Sequence, residues 1–262
     1  LNPALAARLA FRAGHSPTTT VGVAPGRVQA NLAVLPHEWS VPFIAWCRAN
    51  PRPCPVLGVS KPGDPRIPAL GIDLDVRTDL PRYQILRDGM VVAEPADLLA
   101  AWQDDWVAVA LGCSYSFDDA LASAGIPLRH VALGVNPPIY ESSLPTVPHG
   151  PFAGPVIVSM RPLRPADAIR ATLVTARYPH AHGAPIHLAD PAAIGIDLAH
   201  PMGGTVLPLE QDEIPVFWAC GVTPSAALRA ARPPICATHW PGAMLVTDLV
   251  NDDLAAPWSP GA

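Results

Sequence analysis

Residues 106–124 read WVAVALGCSYSFDDALASA, and residues 214–231 read IPVFWACGVTPSAALRAA. Each passes from an unbroken apolar run, through a short loop of small residues, into apolar residues at helical spacing. An apolar run without alternation suits a strand covered on both faces, so strands are predicted over 106–111 and 214–219. Helices follow: one over 117–124 with Asp118 and Asp119 in its first turn, the other opening near Pro224. Strand, small loop and helix, occurring twice, point to an α/β layered fold.

Outward from these anchors, 83–86 and 90–92 flank Asp88 and Gly89, a pair suited to the positive φ of a tight hairpin. Helices are predicted over 3–13 and 38–49, and another over 96–103 after Pro95; a strand over 235–238 runs into His239. The middle reads differently, with strands over 129–133, 156–160 and 186–189 and a helix over 165–177. The expected architecture is a three-layer α/β core from residues 1–125 and 200–262, with a smaller two-layer α+β domain inserted at 126–199.

Half of the 262 residues are hydrophobic and 15% are charged, so a sizeable core can be buried. A net charge of −5 without a basic cluster argues against nucleic acid. No apolar run approaches the roughly 20 residues that span a bilayer, and no signal segment is visible; a cytoplasmic protein with no membrane partner is expected. Five cysteines at irregular spacing suit reduced thiols rather than a disulfide framework. The 34 prolines are dispersed and read as turns and element boundaries.

The loops that enter the two repeated helices are the natural place for an anion, because free backbone N–H groups collect there. Cys113, Ser114 and Ser116 in one loop, and Gly221 and Thr223 in the other, are candidates, with helix capping as the structural alternative for the hydroxyls. Cys113 or Cys220 could serve as a nucleophile where a helix terminus depresses its pKa. Residues 180–191, HAHGAPIHLADP, offer His187 as a proton shuttle with Asp190 to orient it, and His239 has the same potential. Arg161 is the preferred clamp for a substrate carboxylate; Arg77 is a second candidate, although Asp75 and Asp79 stand close to it in sequence.

The segments GVAPGRVQANL (22–32), NPRPCPVL (50–57), DVRTDLPRY (75–83), GCSYSFDDAL (112–121), IVSMRP (157–162), HGAPIHLADP (182–191), IPVFWACGVTP (214–224) and THWPGAM (238–244) together resemble the D-glutamate cyclase family of hydro-lyases nearly end to end. The resemblance implies a three-layer α/β core with a smaller α+β domain. It also implies reversible conversion of D-glutamate to 5-oxo-D-proline with loss of water. The chain departs from the family pattern at Ala243, where a second histidine is usual after THxPG, and at NPPIYESS (136–143), where NVxMYxTN is usual. The first removes an imidazole; the second opens the loop around Tyr140 and Glu141 to a different substrate.

The expected partner is therefore a small-molecule carboxylate, with no metal or other cofactor, and a homo-oligomer is compatible. Two rival readings are a metal-dependent hydrolase built from His182, His187, Asp190 and His239, and a carboxylate-binding protein without catalysis.

Overall fold

The computed structural model describes residues 2–255. Helices and strands are mixed as an α/β fold requires, and the strands form two sheets, with every named pair antiparallel.

The larger sheet runs β2 (Val56–Val59), β5 (Trp106–Gly112), β1 (Arg27–Pro36), β10 (Cys236–His239), β3 (Tyr83–Arg87), β4 (Met90–Ala93). β11 (Leu245–Val250) also pairs with β1, so one edge of β1 is shared between β11 at residues 27–30 and β10 at 33–34. Leu32 falls in the gap between them. Side chains alternate as the pleat demands: Leu32, Val34, Ala108 and Ala110 pack under the 60–104 connection. Ala33, Leu35, Val107 and Val109 meet α2 (His37–Ala49) and α6 (Val222–Ala231). Both faces are covered, which is why β5 is apolar throughout. α1 (Pro3–Arg12) lies against β11.

The smaller sheet runs β6 (Ile139–Pro145), β7 (Pro155–Leu163), β9 (Ile214–Ala219), β8 (His187–Leu188). Val216 and Trp218 on β9 and Leu163 on β7 face α3 (Tyr115–Ser123) and α5 (Pro165–Ala176); Val158, Met160 and Phe217 face away. β9 thus pairs with β7 and β8, while the helix it feeds, α6, packs back on the larger sheet.

Two expected elements differ. Residues 129–133 form the short helix α4 (Arg129–Leu133) instead of a strand. Residues 96–103 make bends and turns rather than a helix, and the Leu98 N–H donates to the Arg77 carbonyl. The Asp88–Gly89 hairpin forms with φ of 48° and 81°. Among the described residues no helix is long and apolar enough to cross a membrane.

Candidate active site

A cavity of about 380 Å³ lies where the two sheets approach each other. Its walls come from the β5–α3 loop (Cys113, Ser114, Tyr115), the β9–α6 loop (Cys220, Gly221, Val222), Asn31 of β1, Ser159 of β7 and His239 at the end of β10. Asn136, Pro137, Met202 and Gly203 close one side, and Gln84 and Arg229 stand at another.

The two loops are built alike. Ser116 N–H donates to Cys113 O at 3.1 Å, and Thr223 N–H to Cys220 O at 3.0 Å. The Ser116 hydroxyl accepts from Gln29 N–H of β1 at 3.2 Å, as the Thr223 hydroxyl accepts from Ile157 N–H of β7 at 3.0 Å. Neither helix has a side-chain cap. Two positive helix ends, one from each sheet, therefore face one partly open cavity. The loops touch through Asn31, whose amide donates to Gly112 O at 2.7 Å and fills the space where a Cβ on Gly221 would stand.

His239 occupies the gap in the ladder beside Leu32. Its Nδ1 is 3.2 Å from the Leu32 nitrogen and 3.3 Å from the Leu32 oxygen, so a donor and an acceptor both face that atom. Either neutral tautomer is satisfied, which leaves Nε2 as the nitrogen offered to the cavity, with or without its proton. Burial pushes the ring pKa down to about 4, which keeps the imidazole neutral at physiological pH.

Of the residues singled out from sequence, Cys113, Ser114, Cys220, Gly221 and His239 line this cavity. Burial pushes the Cys113 thiol up to about 12, an environment that favours the thiol over a nucleophilic thiolate. Ser116 and Thr223 are buried behind it as ties between each helix and the neighbouring strand. Arg161 is also behind the wall. Its guanidinium meets Asp118 at 2.9 Å and packs over Phe117 and Trp218, so the fork offered for a substrate carboxylate is occupied by a carboxylate of the protein. Asp118 also meets His130 Nε2 at 3.1 Å; burial opposes its charge, but Arg161 and His130 prevail and hold its pKa below the usual carboxylate range.

Arg77 pairs with Asp75 at 2.6 Å, away from the cavity. His187 and Asp190 lie outside it as well: His187 packs on Phe217 on the opposite face of the smaller sheet, 2.6 Å from the Asp190 backbone oxygen, and the Asp190 carboxylate caps Ala192. Ser114, Thr223 and His187 therefore share no cleft. His182, His187, Asp190 and His239 do not converge either, and no three His, Cys, Asp or Glu side chains among the described residues form a metal-binding group.

Sequence reasoning missed Ser159, Asn31, Tyr115, Asn136 and Arg229. Asn31 carried a signal, as a polar residue inside the apolar run 28–35. So did Ser159, which shares the face of Arg161 by strand alternation.

A family model described as D-glutamate cyclase matches residues 107–248. A protein of Rhodopseudomonas palustris (strain BisB5) named "Putative hydro-lyase" is 55% identical over 97% of this chain and 93% of its own length. One of Bordetella petrii with the same description is 54% identical over 95% of each. Among solved structures, a nitrogen repressor-like protein from Methanococcus jannaschii aligns over 89% of this chain and 90% of its own at 12% identity, with a TM-score of 0.39, too low a likeness to carry an argument.

Proposed function

The chain belongs to the D-glutamate cyclase family, and from that premise we propose that this hydro-lyase interconverts D-glutamate and 5-oxo-D-proline within the cavity between its two sheets. The observation that carries the reading is the convergence of two helix N-termini without side-chain caps on one partly open cavity. Such a space suits a substrate with two carboxylates, one for each positive end.

In the cyclising direction the amine nitrogen bonds to the γ-carboxyl carbon and one carboxyl oxygen leaves. The ammonium group gives up two protons, and the departing oxygen takes both to become water. The protein needs no net proton source, only a carrier between the two atoms. His239 is suited to that work: in the Nδ1–H tautomer its neutral ring takes a proton from the amine on Nε2, and the imidazolium so formed gives it from Nε2 to the departing oxygen, while Nδ1–H faces Leu32 O throughout. Donors fixed in the cavity wall stabilise the developing charge without reorganising, and ring closure is intramolecular, so orientation does much of the remaining work.

Incubation with D-glutamate, L-glutamate and both 5-oxoproline enantiomers, followed by chiral separation, tests the proposal. Conversion confined to the D pair is expected; no conversion of any of the four would overturn it. His239→Asn is expected to lower kcat by about 10²- to 10⁴-fold. The same loss in His187→Ala, with His239→Asn unaffected, would move the shuttle to β8.

A further inference from the structure

Arg161 is buried to 1% exposure and is already paired, yet it reaches two groups of the cavity wall. Its Nη2 donates to the Ser114 hydroxyl at 3.2 Å and its Nη1 to the Ser159 hydroxyl at 3.1 Å. Ser114 belongs to the loop after β5 and Ser159 to β7, so one rigid fork holds a hydroxyl from each side of the cavity. A hydroxyl oxygen that accepts from a guanidinium must turn its own hydrogen elsewhere, and the charge behind it makes that hydrogen a stronger donor.

We infer that Ser114 and Ser159 form a two-donor oxyanion site, oriented and polarised from behind by Arg161, for the oxygen that gains negative charge as the γ-carboxyl carbon becomes tetrahedral. Asp118 holds the fork in register through two nitrogens, at 3.1 Å from Nε and 2.9 Å from Nη2, and Phe117 and Trp218 cover the guanidinium. Arg161 is thus a positioning residue, and the serines are the groups that touch substrate. The inference rests on the proposed reaction, but it assigns the transition-state contacts to residues that span the two sheets.

The test is steady-state kinetics in both directions on the intact chain, for Ser114→Ala, Ser159→Ala and their double variant, with Ser142→Ala as a control. The Ser142 hydroxyl is buried on β6 and bonds to Val156 O at 2.6 Å, outside the cavity wall. Each cavity serine should lose about 10²- to 10³-fold in kcat with little change in KM, as removal of an oxyanion donor does, while Ser142→Ala keeps its kcat. Arg161→Lys retains the buried charge but loses the fork; it should fall comparably, and adding either serine change to it should lower kcat little further. Undiminished kcat in both serine variants, or a rise in KM alone, would overturn the inference. So would serine and Arg161 losses that multiply in the combined variants. Failure of the wild-type chain to convert any of the four substrates would instead sink the reaction itself.

Discussion

The neutral state of His239 has consequences that pH exposes. Burial pushes His239 and His182 both down to about 4, against about 6.5 for a solvated imidazole. Between those values the unfolded chain takes up protons that the folded chain refuses, so stability falls as pH drops from about 6.5 to 4, by on the order of 3 kcal/mol for each ring. Asp118 acts lower down: its depressed pKa adds stability above about 3.9 that is lost as pH falls through its folded value. Urea midpoints at pH 7, 5.5 and 4.5 should decline in order; a constant midpoint would mean that the two rings are solvated. For the same reason the acid limb of kcat/KM should lie near 4, and a limb at 6.5 would contradict the neutral, buried ring. At this scale the sequence was readable where a residue's role is local. Cys113, Ser114 and Gly221 line the cavity because they sit in loops after strands, whereas Arg161 could not be seen to meet Asp118, 43 positions away.

Two glycines set the distance between elements. A Cβ on Gly112 would stand 1.8 Å from the His180 backbone oxygen, which has no flexible end to yield. Gly112→Ala should therefore lower stability by about 1–3 kcal/mol, read from denaturant midpoints. At Gly221 the obstruction is the Asn31 side chain, 2.0 Å away. Gly221→Ala should push that amide into the cavity and reduce turnover more than stability; unchanged kinetics would show that the loops can part without loss. The repeated strand–loop–helix units were legible because long apolar runs and helical spacing are strong local signals. Short elements were not. RHVAL at 129–133 is apolar enough for a strand but coils into one turn of helix that carries His130 to Asp118. β1, central to the larger sheet, is marked by Gln29 and Asn31, whose polarity reflects the cavity and its supports rather than a loop.

Across the molecule, α/β content followed from the sequence, while the assignment of strands to sheets did not. The 214–219 strand looks like its counterpart at 106–111, and only pairing reveals that it joins β7 and β8. The two sheets then share α6 and one cavity, which couples their unfolding. Tryptophan emission, from Trp46 and Trp106 at the larger sheet and Trp218 at the smaller, should melt in one transition with the far-UV signal; two separated transitions would indicate independent units. The edge of β1 has a further implication. Arg27 pairs with Val250, and Ala33 with Thr238, so a chain emerging from the ribosome must carry this strand half-matched until more than two hundred further residues have been translated. Protein synthesis would outlast any early collapse, so one edge of β1 stays open to mispairing while the intervening residues are made.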